Sequence, residues 1–205
     1  MTGDRCSAAT PGVPVGGGGE REWQVVIGGE GGQGVVLAGA LLGEAAVRAG
    51  LNAAHTSAYG IATRGGFTRS DVIVVPGERE ILYPLVRRPD LLVALSEQAY
   101  ERLVAMAGPG AILIREAGLK GPACAPDARE GACAPWREIA LPLGEVAVRE
   151  GGRRMVNVAA LGAAVGVAGM FAPVFLEEVL RRRFGSERGE ASCRAMRAGY
   201  RLVSD

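Results

Sequence analysis

The chain has 205 residues with 23 basic and 22 acidic side chains, and a net charge of +1 gives no electrostatic case for a nucleic acid or a membrane surface as partner. Hydrophobic residues make up 48% and aromatics 5%, which calls for a core of small aliphatic side chains. Cys6, Cys124, Cys133 and Cys193 include no CxxC pair and His55 is the single histidine, which excludes a local zinc or iron–sulfur ligand set.

Residues 1–22 are rich in Gly, Pro, Ala and Ser and bury too little apolar surface to offset their ordering entropy, so a flexible tail is expected. They hold no continuous apolar stretch of the kind a secretory signal needs, and a cytoplasmic location with free thiols at Cys124 and Cys133 is expected. Residues 23–205 suffice for one domain. Within it, 23–27 (WQVVI) predicts a buried strand, 28–34 (GGEGGQG) a loop, and 35–49 a helix closed by Gly50. A weak strand follows at 51–55. Residues 56–66 lack an apolar period and read as a loop, and 67–75 (FTRSDVIVV) reads as a strand. A short returning strand is expected at 81–83.

Residues 90–95 (DLLVAL) form the clearest strand signal, running into Ser96 as the cap of a helix to about residue 107. A strand at 111–114 and an irregular Gly/Pro/Ala-rich stretch at 116–136 come next, then a short strand at 139–141. The last third is helical: 156–170 is small and apolar all round and too short for a membrane span, Pro173 opens a helix to Arg183, and 190–202 closes the chain. Strands alternating with helices predict a three-layer α/β/α domain with a mostly parallel, Rossmann-like sheet and a helical C-terminal third.

Gly29-Glu30-Gly31-Gly32-Gln33-Gly34 satisfies G-x-G-x-x-G between strand and helix, where glycines permit close approach of a phosphate and a helix N-terminus supplies N–H groups. The acidic residue that holds a ribose about 20 residues on is missing, because 49–55 reads AGLNAAH, and Glu30 would repel a pyrophosphate. The residues alone leave two readings open, a ligand cradle and a tight turn that lets helix and sheet pack closely. Arg64-Gly65-Gly66 is the second unusual segment. Its arginine is suited either to an anionic ligand group or to tying down a surface loop. His55 has no carboxylate near in sequence and is expected to pack at a strand end; Arg181 to Arg183 read as a solvated helix end.

The segments 28–46 (GGEGGQGVVLAGALLGEAA), 57–74 (SAYGIATRGGFTRSDVIV) and 81–95, with its Tyr83-Pro84-Leu85-Val86 and Pro89-Asp90, resemble the gamma subunit of 2-oxoacid:ferredoxin oxidoreductases. The likeness extends to Asn157-Val158-Ala159-Ala160-Leu161-Gly162 and to 195–200 (AMRAGY), spanning about residues 24–202. Ser192 stands where that family commonly has Asn. The resemblance implies one subunit of an enzyme that decarboxylates a 2-oxoacid of the pyruvate or 2-oxoglutarate class on thiamine diphosphate and Mg, passes electrons through iron–sulfur clusters to ferredoxin, and releases the acyl group to coenzyme A.

The chain carries no Gly-Asp-Gly…Asn diphosphate motif and no cysteine cluster, so the alpha/beta (thiamine diphosphate) and iron–sulfur subunits are expected to supply those groups. The resemblance further implies a coenzyme A-side surface made from Gly29, Gly31, Gly32, Gln33, Gly34, Arg64, Gly65, Gly66 and Asn157, with no catalytic residue and no metal ligand in this chain. Two alternatives stand beside it: a non-catalytic assembly subunit, and a stand-alone nucleotide-binding oxidoreductase of Rossmann type.

Overall fold

Alternation along the first strand sets the architecture. In β1 (Trp23–Glu30) Val25 and Ile27 turn to one face and Val26 to the other, and all three are buried, so the sheet must be covered on both sides. The computed structural model describes residues 21–59, 66–120 and 136–204. The tail expected over 1–22 falls almost entirely outside them, as do Arg64, Gly65, Cys6, Cys124 and Cys133.

Helix α1 (Val35–Arg48) ends as expected at Gly50, whose φ of 83° suits glycine. There Gly50 N–H donates to Val47 O and Leu51 N–H to Ala46 O, the paired bonds of a Schellman motif. Strands β2 (Asn52–Tyr59) and β3 (Phe67–Val75) form a hairpin. β4 (Leu91–Ala94) leads into α2 (Glu97–Val104), with the Ser96 hydroxyl accepting from Ala99 N–H at 3.2 Å. β5 (Ile112–Glu116), β6 (Arg137–Leu141) and α3 (Leu143–Glu150) follow; α4 (Val156–Ala168), α5 (Pro173–Phe184) and α6 (Ser186–Ser204) complete the order.

The six strands lie in the order β2-β3-β1-β4-β5-β6. β1, β4, β5 and β6 are parallel neighbours, while β3 runs antiparallel to both β1 and β2. The mostly parallel sheet is therefore mixed at one side. Its two covers are unequal. One face carries α1, α3, α4, α5 and α6 around the larger core; the other carries α2 and the connection between β3 and β4. Within the larger core α4 is buried on nearly every side, as its composition predicts. It lies so close to α6 that a Cβ on Gly199 would stand 1.9 Å from Ala159 O and one on Gly162 1.9 Å from Met196 O.

Several expectations shift, and residues 28–30, read as loop, complete β1 against β3. The predicted loop at 56–59 belongs to β2, paired with β3 throughout, and its exposed Thr56, Ser57 and Ala58 show why no apolar period marks it. Residues 81–83 form no strand: Ile81 packs under α2 while Leu82 and Tyr83 face out, and Pro84 turns the chain. Helix α3 was not predicted, although Leu143, Val146 and Ala147 recur at helical spacing and are all buried. Among the described residues no helix is long and apolar enough to cross a membrane.

Candidate functional site

The glycine loop joins the C-terminal end of β1 to α1, and each of its residues has a distinct geometric task. A Cβ on Gly29 would lie 2.6 Å from Gln33 Oε1 and 2.8 Å from Val35 Cγ2, so any larger residue here displaces the Gln33 and Val35 side chains. Gly32 has a φ of 100° and Gly34 a φ of 73°, both in the left-handed region. Gly34 is the N-cap of α1, which has no side-chain cap and no acidic residue in its first turn. The positive end of that helix thus faces the strand edge without a carboxylate of its own.

Gln33 turns inward. Its Nε2 donates to Leu95 O at 2.9 Å and its Oε1 accepts from Glu30 N–H at 2.7 Å, so one amide ties the loop to the end of β4. Asn157, only 4% exposed at the start of α4, acts in the same way: Nδ2 donates to Gly34 O at 3.1 Å and Oδ1 accepts from Val158 N–H at 2.9 Å. Its Nδ2 would sit 2.5 Å from a Cβ on Gly34, so the third glycine of the motif admits Asn157 as well as permitting the turn. Sequence spacing could not reveal this pairing across 123 positions.

The two unusual sequence segments meet. Gly31 N–H donates to Gly66 O at 3.0 Å, so the glycine loop lies against the end of the segment that carries Arg64 and Gly65. The register extends the contact, with Glu30 opposite Phe67 and Gly29 opposite Thr68. The glycine loop leaves the sheet, and Gly66 leads into β3, at the edge where β1 and β4 end, the edge at which open α/β sheets hold ligands. From Gln33 a groove of about 650 Å³ runs along α3 and the start of α4, past Leu95, Leu119, Val148 and Arg153. Glu116, on its wall, accepts from Gly144 N–H at 2.7 Å and caps α3.

His55 packs within β2, not at the strand end expected, because the strand runs on to Tyr59. Its Nε2 lies 2.8 Å from Ser70 Oγ beneath Gly39 of α1, where a Cβ would meet both side chains. Burial lowers its pKa, opposed in part by the negative charge of Asp71. Among the described residues no three His, Cys, Asp or Glu side chains are gathered to hold a metal ion.

A model of the pyruvate ferredoxin/flavodoxin oxidoreductase family matches residues 24–202. The 2-oxoglutarate synthase subunit KorC of Archaeoglobus fulgidus is 32% identical over 183 residues, which are 89% of this chain and 88% of KorC. The ketoisovalerate oxidoreductase subunit VorA of Methanothermobacter thermautotrophicus is 32% identical over 172 residues, 82% of this chain but 33% of VorA, so the chain spans about a third of that relative. The gamma subunit of a keto/oxoacid ferredoxin oxidoreductase from Geobacter sulfurreducens superposes with a TM-score of 0.73 at 26% identity, covering 88% of this chain and 98% of that one.

Proposed function

The chain belongs to the pyruvate ferredoxin/flavodoxin oxidoreductase family, and from that premise we propose that it is the gamma subunit of a cytoplasmic, multisubunit 2-oxoacid:ferredoxin oxidoreductase. The whole enzyme converts a 2-oxoacid of the pyruvate or 2-oxoglutarate class, with coenzyme A, to an acyl-CoA. Residues 23–205 form its gamma-type domain, and 1–22 a tail. Thiamine diphosphate, Mg and iron–sulfur clusters belong to the alpha/beta and iron–sulfur subunits of that enzyme. Ferredoxin meets the complex rather than this chain.

The observation that supports the site is the Gly31–Gly66 hydrogen bond, which joins the glycine loop to Gly66 close to the uncapped positive end of α1. An anionic group of coenzyme A resting there meets main-chain N–H groups at the start of α1, with Arg64 as its charged partner. Gln33 and Asn157 hold the loop in shape through their bonds to Leu95 and Gly34. In the purified complex, Arg64→Ala raises the KM for coenzyme A about tenfold, the loss of one charge-assisted contact. kcat stays close to wild type, read by 2-oxoacid-dependent reduction of ferredoxin. An unchanged KM removes the ligand role.

A second reading, a purely scaffolding subunit, is favoured by one observation: both amides that hold the loop, Gln33 within it and Asn157 on α4, are engaged by the chain's own backbone. It predicts that Arg64→Ala changes complex stability and leaves coenzyme A kinetics alone.

A further inference from the structure

The turn that follows β5 is fastened from both faces of the sheet. Successive side chains there point to opposite sides, Arg115 over the Tyr100 ring of α2 and Glu116 to the start of α3. Arg115 Nη1 donates to the carbonyl oxygens of Glu116, Ala117 and Leu119 at 3.2–3.4 Å, so three carbonyls of one turn curl around a single cation. The guanidinium is itself held. Its Nε donates to Glu138 Oε1 at 2.7 Å, and the Tyr100 hydroxyl donates to Glu138 Oε2 at 2.7 Å. Burial and the bond to Glu138 push the Tyr100 phenol up to about 12, so it stays a donor at neutral pH.

With Ala117 and Gly118 exposed, these polar bonds do most of the fastening. Only arginine serves both tasks of position 115, because its fork has separate nitrogens for Glu138 and for the carbonyls where lysine has one. What they position is a wall: Glu116, Gly118 and Leu119 line the groove of about 650 Å³ that begins at Gln33. That volume lies within the roughly 300–1,000 Å³ of small-molecule sites. Its lining sorts the two halves of coenzyme A. Leu95, Leu119 and Val148 offer apolar surface, and Glu116 and Glu145 bring negative charge against one arginine, Arg153. Such a groove suits the uncharged amide arm that ends in the thiol and turns away the phosphates of the nucleotide half.

We propose that Arg115 is a positioning residue for coenzyme A, fixing the turn 116–119 as the wall of a groove that takes the uncharged arm while the phosphates stay at the glycine loop. The inference rests on the coenzyme A reading given above. The groove and the loop share Gln33, so an arm lying in the one leads directly to phosphates held at the other.

In the purified complex, competition against coenzyme A by pantetheine, the arm alone, and by adenosine bisphosphate, the phosphorylated nucleotide alone, separates the two halves. Arg115→Lys keeps the charge and loses the fork. It is expected to weaken inhibition by pantetheine about tenfold and to leave inhibition by adenosine bisphosphate within about twofold. The KM for coenzyme A rises with it, and kcat changes far less. Val148→Trp fills the groove from a side chain that is 59% exposed on α3, so the core is untouched, and is expected to act in the same way. If either variant weakens neither competitor, or weakens both alike, the proposal is overturned. Arg64→Ala is expected to do the reverse, weakening adenosine bisphosphate and sparing pantetheine. Adenosine bisphosphate inhibition unchanged in Arg64→Ala overturns the coenzyme A reading of the loop itself.

Discussion

Replacing Gln33 with Glu changes one atom of consequence. The amide orientation is fixed by its partners, since Nε2 meets a carbonyl and Oε1 meets an N–H. The carboxylate keeps the acceptor for Glu30 N–H but sets an oxygen against Leu95 O, where the amide donated at 2.9 Å. Losing that bond costs about 1 kcal/mol, and a carbonyl left without a donor against a facing oxygen adds about 1–2 kcal/mol at a half-buried site that water partly reaches. The expected loss of about 2–3 kcal/mol corresponds to a melting temperature lower by about 5–10 °C for a domain of this size.

The sign with pH follows. A protonated carboxyl restores the donor to Leu95 O, so the introduced group has a pKa above the usual 4.3 of a glutamate in the folded chain. Its penalty is full at about pH 8 and fades as pH falls through that raised value. Thermal unfolding followed by circular dichroism at about pH 8 and about pH 5 measures both effects against wild type. A variant that melts within a degree of wild type at the higher pH, or a gap that widens on acidification, refutes the role of Gln33 as a tie.

Two glycine substitutions should part company. Gly199→Ala drives a Cβ into Ala159 O at 1.9 Å and is expected to destabilise by about 1–3 kcal/mol, whereas Gly43→Ala on α1 meets nothing closer than 3.9 Å and should gain about 0.5–1 kcal/mol of helix propensity. Urea midpoints compare them, and equal effects would contradict the close α4–α6 contact. His55 gives a pH signature: its lowered folded pKa means that the unfolded chain takes up the proton first, so stability is lost as pH falls below about 6.5. His55→Gln should flatten that loss between about pH 7 and pH 5 in urea titrations; an identical slope would show that other groups produce it.

The strands and helices of the larger core were legible because their burial is written locally. The run at 90–95, the glycine bracket of α1 and the small apolar residues of α4 each have one environment that suits them. The hairpin was harder, since Thr56, Ser57 and Ala58 are held by backbone bonds to β3 and have no buried face to announce them. At the candidate site the glycines were visible as a motif, but their reasons were not. Gly29 makes room for Gln33, and Gly34 for a side chain 123 positions away. The reversed direction of β3 also escaped, because nothing in a strand's own residues states which way its neighbours run.

Helix α4 leaves the ribosome before the helix that covers it. A nascent chain that has completed α5 already contains the thirteen residues of α4, all but Asn157 apolar, with one flank bare, waiting for Gly199 to seat against Ala159. The larger core closes only when residues 186–204 have been made, so synthesis that stalls late, or a protease cut ahead of Ser186, yields a product with its greasiest helix uncovered. Such fragments are substrates for chaperones and aggregation.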